Sequence, residues 1–453
     1  MSYKGIVARV QNILPHPNAD RLEIAIVLNT HVVVGINNYK PDDLVLFFES
    51  DGCLSKEYCE ANDLYERFEE IDGVKTRVGS GYLDPNGRIR ALNLRSYKSN
   101  GLVMPLPSLA FTGVDLSILV EGYTFTEINN VEICRKYETP ATKAARNQKQ
   151  KKVGLKNKTV FREHIETENF RRNVQRIPVG ATISITEKLH GTSGRIGYVY
   201  SEKEERHPLI TKFLLKTNKK LPWEPLDQLW QFIHKTIEKK SIKTIKGHMW
   251  QHGTRKVVLQ KESANTGFYG SDEFRWQIAD RLLPFLHKGE QIYYEIVGET
   301  TSGAKIQSNH STICTGDKKF IKQYGSEVSY NYSCPDSTCK AYVYRISIIN
   351  EDGVEWELPW EAVKARCLEL GVDYVPEHKV IKLSDFSDTD LIRYVEDLSL
   401  QSTFENQFPE GVVIRVDYNG KTWWLKEKNW YFLRMEGFNK EKPDYVDTEE
   451  VES

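Results

Sequence analysis

No run of eighteen apolar residues occurs in this chain of 453, so nothing in it is long enough to form a membrane-spanning helix. The opening Met1-Ser2-Tyr3-Lys4-Gly5 has no apolar signal core and leads directly into a strand-like segment, so a protein that is not secreted is expected. An excess of one charge is also missing. Lys and Arg number 62 against 63 Asp and Glu, so the total says nothing about partners and the local distribution has to. There is no internal repeat. The seven cysteines (Cys53, Cys59, Cys134, Cys314, Cys334, Cys339, Cys367) are odd in number and irregularly spaced, which argues against a disulfide framework and for free thiols in a reducing compartment. Cys334-Pro-Asp-Ser-Thr-Cys339 could furnish half of a zinc site, but no second Cys or His pair stands at the usual spacing. A cytoplasmic (or nuclear) protein with no membrane partner is expected.

Against those absences stand 40% hydrophobic and 11% aromatic residues, enough for real cores, in a chain long enough for two or three domains. From Tyr3 to about Leu119, short β-rich runs alternate with turn chemistry. Gly5–Val10, His31–Ile36 and Leu44–Phe48 are three of the runs; Pro15–Asp20 and Lys40–Asp43 are two of the turns. This pattern favours a small barrel or sandwich. His16-Pro17-Asn18-Ala19-Asp20-Arg21-Leu22 resembles the signature of OB-type tRNA-binding domains appended to some synthetases, so an OB-like β-barrel is expected over 1–122.

Tyr123 to Glu138 reads as a last strand and exit. Ala141 to Lys158 then carries seven Lys or Arg (Lys143, Arg146, Lys149, Lys151, Lys152, Lys156, Lys158) and no acid. The stretch 123–160 is therefore expected to be a basic linker, solvated or tracking phosphates. From Phe161 the character is mixed α/β. A helical entry is expected over His164–Ile177, strands at Lys256–Leu259, Gln291–Val297 and Ala341–Ile346, and helices over Ser271–Leu286, Trp360–Leu370 and within Ser384–Leu400. Gly411–Val416 and Thr422–Lys426 read as a hairpin around Asn419-Gly420. Leu209 to Ile245, with Leu226, Leu229, Trp230, Phe232 and Ile233 at helical spacing, reads as a surface insertion packed by one face. The acidic residues 438–453 read as a loose tail.

The centre of this second region is Thr186-Glu187-Lys188-Leu189-His190-Gly191-Thr192-Ser193. It lies between the strand-like runs Ala181–Ile185 and Gly194–Tyr200. A lysine at a strand end beside a glycine turn is well placed to have its amine used as a nucleophile, although such a lysine is more often a solvated surface charge. Further along come Tyr294-Glu295, Tyr342-Val343-Tyr344, Glu410-Gly411-Val412-Val413-Ile414-Arg415 and Leu425-Lys426-Glu427-Lys428-Asn429.

In that order these segments resemble motifs I, III, IIIa, IV and V of the covalent nucleotidyltransferases, the superfamily of DNA ligases, RNA ligases and mRNA capping enzymes. The Lys-x-His-Gly form with a preceding Glu resembles the RNA-repair ligases, including the T-even phage type. An N-terminal OB-like domain with no domain after motif V resembles the Deinococcus type. The fold implied is α+β: the OB-like barrel, then over 161–437 a nucleotidyltransferase (ATP-grasp-like ligase) domain of antiparallel sheets with flanking helices.

The resemblance implies that Lys188 attacks the α-phosphorus of ATP to give a lysyl-AMP adduct. A lysine titrates near ~10.4, so a neutral amine near pH 7 costs roughly 4–5 kcal/mol unless its surroundings disfavour the ammonium. Arg255, Lys426, Lys428 and a divalent Mg²⁺ or Mn²⁺ ion could supply that bias. Lys426 and Lys428 share a strand face, as two phosphate-binding ammoniums must. Glu410 is the candidate ligand for the metal, directly or through its water shell. By resemblance Glu295 contacts the ribose hydroxyls, Tyr344 stacks on adenine, Glu187 reads the purine edge, and His190, Gly191 and Arg255 complete the ATP site. Arg255, in Gly253-Thr254-Arg255-Lys256-Val257-Val258, matches the arginine strand after motif I. Two departures stand out: Tyr294, where many relatives have Gly, and Ser193, where the T-even pattern has Asn. The function expected is an ATP-dependent RNA ligase, a monomer that seals 3′-OH and 5′-phosphate ends in a nicked duplex or in RNA joined to DNA. The alternatives are a DNA ligase, a GTP-using capping-type enzyme, and a non-catalytic nucleic-acid-binding protein.

Overall fold

Alternation of apolar and polar residues along Gly5–Pro15 gives a strand that buries Val7, Ala8 and Val10 completely. In the computed structural model, which describes residues 3–71, 74–78, 81, 83–148, 157–206, 226, 228–233, 242–259, 273–384, 387–442 and 445, this strand is long enough to serve two partners. Its first half pairs with Leu44–Phe48 and its second with Leu22–Val27, and the register shifts between Val10 and Asn12. Such an irregularity bends the strand and lets one sheet curl into a barrel wall. Leu102–Pro105 and Thr30–Gly35 extend the sheet at either side. The signature segment forms the first turn, where His16 Nε2 lies 3.1 Å from the Leu94 carbonyl and Asn18 Nδ2 donates to the Arg95 carbonyl at 3.1 Å.

Thr124–Phe125 pairs with Gly5 and Ile6, and Cys134–Lys136 with Gly52–Leu54. Both segments lie within the stretch read from sequence as a linker, and both add edges to the first unit. A helix follows over Pro140–Gln148. The rest of the basic run up to residue 156 lies outside the described residues, as do most of the insertion and most of the tail. The helical turns at 228–233 within the insertion leave Leu229 and Phe232 exposed rather than packed by one face.

The remainder is built on two sheets. In one, Thr192–Arg206, Glu290–Gly298 and Cys339–Ile349 run antiparallel, with Ile242–Gly253 paired along the far side of the first strand. In the other, the order is Glu168–Asn169, Lys421–Lys428, Gly411–Tyr418, Thr182–Lys188 and Glu377–Lys382. The hairpin joining Gly411–Tyr418 to Lys421–Lys428 turns at Asn419 and Gly420, both at positive φ (49° and 72°), the requirement of the two-residue turn that Asn-Gly favours.

One apolar core lies between the first sheet and the helices Glu273–Leu282, Trp360–Leu370 and Trp430–Asn439, and a second under Asp388–Ser399. The helix expected over His164–Ile177 is confined to Phe170–Asn173 and one 3-10 turn, because Glu168 and Asn169 instead pair in parallel with Leu425 and Lys426. Lys256–Leu259 makes only a bridge, Gly253 to Val258. Among the described residues no helix is long and apolar enough to cross a membrane.

Candidate active site

Leu189-His190-Gly191 carries the chain from one sheet to the other, so Lys188 ends a strand of the second sheet and Thr192, just before Ser193, begins a strand of the first. This turn needs a glycine. A Cβ at Gly191 would sit 2.3 Å from the Ile296 carbonyl oxygen, a backbone atom that cannot give way. Lys188 pairs with Gly411, and Gly411 pairs with Lys428 on its other side. With no side chain between them, the two lysines face each other across the middle strand. Gly411 too is fixed by close approach, since a Cβ there would meet the Glu427 carbonyl oxygen at 2.0 Å.

Glu410 closes the arrangement. Its Oε1 lies 2.8 Å from Lys188 Nζ and 3.0 Å from Lys428 Nζ, and its Oε2 is 3.5 Å from His190 Nδ1. The residue has no exposed surface. Burial by itself would raise the Glu410 carboxyl, but the two ammoniums and the imidazole outweigh it and hold the group well below the usual carboxylate range. Beside the cations that the sequence offered as a bias on Lys188, the structure sets a carboxylate directly against its amine. Lys188 rests in an ion pair that must open before its amine can attack anything.

A cleft of 1340 Å³ opens in front of Lys188 and is lined by both sheets and by the OB-like unit. Lys188, Lys426, Lys428, Arg255, Glu187, Glu295 and Tyr344 all reach it; Glu410, His190 and Gly191 do not. Glu295 accepts a hydrogen bond from Ser193 Oγ at 3.1 Å. Tyr344 is aimed by an irregularity in the strand pairing, where Tyr293 is opposite Arg345 but Tyr294 is opposite Val343, leaving Tyr344 as the extra residue. Its hydroxyl lies 2.9 Å from His164 Nδ1, and burial pushes that hydroxyl well above its ordinary range. Tyr294 is fully buried, with its ring where a Cβ on Gly194 would fall.

Glu187 points the other way from Lys188. One carboxylate oxygen accepts from Ser402 Oγ at 2.7 Å, the other from Thr403 N and Oγ1, both at 2.7 Å. His190 sits behind Glu410, boxed edge-to-face by Tyr330 (4.7 Å) and Phe432 (4.9 Å), and its backbone N–H donates to the Tyr332 hydroxyl. It holds Glu410 from behind rather than lining the cleft.

Sequence reasoning missed Glu436 and Lys440. Glu436 accepts from Lys428 at 3.3 Å on one oxygen and lies 3.4 Å from Lys440 on the other. The only sequence signal was their helical i, i+4 spacing just after motif V. Asn429, quoted in motif V without a role, caps the helix Trp430–Asn439 through Phe432 N, and its amide donates to the Pro409 and Glu410 carbonyls.

The chain matches a family model described as OB-fold domain over residues 5–106 and one described as RNA ligase over residues 181–428. No curated protein sequence matches. Among solved structures it is similar to Naegleria gruberi RNA ligase. A lysine-to-alanine variant with ATP and Mn matches at 15% identity over 96% of this chain and 98% of that one, with a TM-score of 0.55. Another lysine-to-alanine variant, without ligand, matches at 16% over 97% and 99%, TM-score 0.57. The same ligase with PPi matches at 16% over 95% and 97%, TM-score 0.54. At these identities the likeness is one of fold.

Proposed function

The chain belongs to the RNA ligase family, and from that premise we propose that it is an ATP-dependent enzyme joining RNA 3′-OH and 5′-phosphate ends through a lysyl-AMP intermediate. The observation that carries this reading is Lys188 Nζ at the cleft wall, set against Glu410 and facing Lys428 across Gly411. In the first step the Lys188 amine attacks the α-phosphorus, a P–N bond forms and pyrophosphate leaves with the P–O electrons. AMP then passes to the RNA 5′-phosphate, and the 3′-OH displaces it to form the phosphodiester.

Phosphoryl transfer of this kind is mostly positioning and charge neutralisation. Lys426 and Lys428, on one face of one strand, receive the phosphate charge, with Arg255 lining the same cleft. Glu295, oriented by Ser193, suits a ribose hydroxyl, and Tyr344 offers a ring to the base. Glu187 already uses both oxygens on Ser402 and Thr403, so its influence on the purine runs through that loop.

The site suits a divalent ion in a particular way. Among the described residues no three His, Cys, Asp or Glu converge as a ligand set, so a Mg²⁺ or Mn²⁺ ion here would take most of its ligands from water and phosphate. Glu410 lies behind Lys188 and Lys428 rather than on the cleft wall; it would hold the ion only once an ammonium moves aside, and the ion would then supply charge neutralisation at the α-phosphate.

The Naegleria gruberi complexes with ATP and Mn and with AMP and Mn support the choice of nucleotide and metal, and the complex with PPi supports the leaving group. The working division is an OB-like unit over 1–122, a connection over 123–160 whose strands return to that unit, and a catalytic unit over 161–437 whose last helix runs on through Asn439 to the buried Lys440, so that the segment 438–453 read as a loose tail begins as packed structure. We further propose a monomer acting on nicked duplex RNA, or RNA joined to DNA, in a reducing compartment, consistent with seven free thiols. Incubation with α-labelled ATP and Mg²⁺ or Mn²⁺ should transfer label covalently to the wild-type protein but not to Lys188→Ala. Equal labelling of both would overturn the assignment, preferential labelling by GTP would favour a capping-type enzyme, and equal sealing of all-DNA nicks would favour a DNA ligase.

A further inference from the structure

An alternation of acid and base runs without a gap from Lys188 to the OB-like unit. Lys188 meets Glu410 (2.8 Å), Glu410 meets Lys428 (3.0 Å), Lys428 meets Glu436 (3.3 Å), Glu436 meets Lys440 (3.4 Å), and Lys440 meets Asp51 Oδ1 (2.7 Å). Glu410, Glu436 and Lys440 are buried. A buried charge persists only with opposite charge in contact, and removing one member leaves its neighbours uncompensated. Glu436 is already shared between two lysines, so Lys440 draws further charge from outside its own helix, and Asp51 supplies it. Asp51 is itself held in place. It sits in a left-handed turn (φ 71°), its N–H donating to the Ile89 carbonyl and its carbonyl accepting from Tyr137 N–H.

We propose that Asp51 and Lys440 are positioning residues for the nucleophile: from the OB-like unit they fix Glu436, which keeps Lys428 on Glu410 and thereby sets where Lys188 Nζ stands. This rests on the lysyl-AMP reading above. The competing account is a simple clamp between the two units, which already have other ties in Arg172–Glu49 (2.7 Å) and Asn169–Glu49 (2.8 Å). A clamp needs only an attraction across the interface. A positioning chain also needs the sign of each charge, because Glu436 tolerates a cation beside it and not a carboxylate.

The test is single-turnover formation of the covalent AMP adduct by the full chain, with the rate at saturating ATP and the apparent KM measured separately. Asp51→Asn, and Lys440→Met, which keeps most of the buried hydrocarbon, should each lower the saturating rate by roughly ten- to a hundredfold, the cost of a slightly misplaced reacting group, with KM for ATP changed by less than about twofold. Asp51→Glu should recover most of the rate. The reversed pair Asp51→Lys with Lys440→Asp restores attraction across the interface but sets a carboxylate against Glu436, so it should stay slow. Rates within twofold of wild type in Asp51→Asn, or full recovery in the reversed pair, would overturn the proposal in favour of a clamp. A wild-type protein that takes no label would overturn the ligase reading and this inference with it, whereas a labelled wild type with an unimpaired Asp51→Asn overturns this inference alone.

Discussion

Lys188 and Lys428 bring their ammoniums to one and the same oxygen, Glu410 Oε1, from opposite sides of Gly411. Two cations that would repel each other across a strand are joined by a carboxylate buried between them. The proposed nucleophile and the proposed phosphate-binding lysine therefore form one electrostatic unit.

Glu410→Gln keeps the shape of this centre and removes its charge. Breaking a buried ion pair from one side costs about 3–5 kcal/mol, and here two ammoniums lose their partner. The variant should melt at a clearly lower temperature, and its single-turnover adduct formation should fall by roughly a hundredfold or more. Both are readable by thermal denaturation and label transfer on the same preparation.

Gly411→Ala should be worse than its size suggests. The added methyl meets a backbone oxygen at 2.0 Å, so relief requires the central strand to move away from Glu427, taking Glu410 with it. Overpacking of this kind costs about 1–3 kcal/mol or more. Adduct formation should drop by roughly a hundredfold even under conditions where circular dichroism shows the protein folded.

Glu187→Gln replaces one acceptor oxygen with a donor opposite Ser402 or Thr403. A buried hydrogen-bonding group left facing the wrong partner costs about 1–3 kcal/mol. The loop 401–407 should exchange its amide hydrogens faster, and KM for ATP should rise more than the saturating rate falls. An unchanged exchange pattern would show that the loop is held by other means.

Stability should also fall toward acid pH through His252. Its imidazole lies edge-on to Trp276 at 4.6 Å, and neither ring nitrogen has a hydrogen-bond partner among the described residues. Burial, followed by the nearby Arg275 and Arg195, pushes it down to about 3. The unfolded chain takes up this proton below about pH 6.5 and the folded one does not until near 3, so stability rises with pH across that window. The full effect is about 4–5 kcal/mol. His252→Phe should flatten the slope of stability against pH between those limits, measured by urea denaturation.

Much of the proposed site was legible because its residues sit in or beside strands in a fixed order. Lys188, Glu295, Tyr344, Glu410 and Lys426/Lys428 each stand in alternating apolar runs whose period was readable, and Asn419-Gly420 announced the hairpin that sets Lys426 and Lys428 beside Gly411. What could not be read was where buried charges find their partners. Asp51, Ser402 and Thr403 carry no local signal, being ordinary turn residues whose roles appear only when distant segments meet. His190 reads as a cleft residue until the box of Tyr330 and Phe432 shows that it backs Glu410. The missed strand at Glu168–Asn169 has the same origin, since a two-residue parallel edge exists only by virtue of Lys421–Lys428.

That short edge bears on the order in which the chain can be made. The strand ending in Lys188 gets its first neighbour only when Glu377–Lys382 has been synthesised and its second with Gly411–Tyr418, and Glu168–Asn169 must wait for Lys421–Lys428. A nascent chain on the ribosome can close its N-terminal barrel early but holds the Lys188 strand unpaired until Glu377–Lys382 emerges, and without Glu410 and Lys428 until later still. Contacts so distant along the chain form slowly and leave an open sheet edge in the meantime. The centre around Lys188 is thus assembled late, so a truncated product should carry the OB-like unit without any trace of the site.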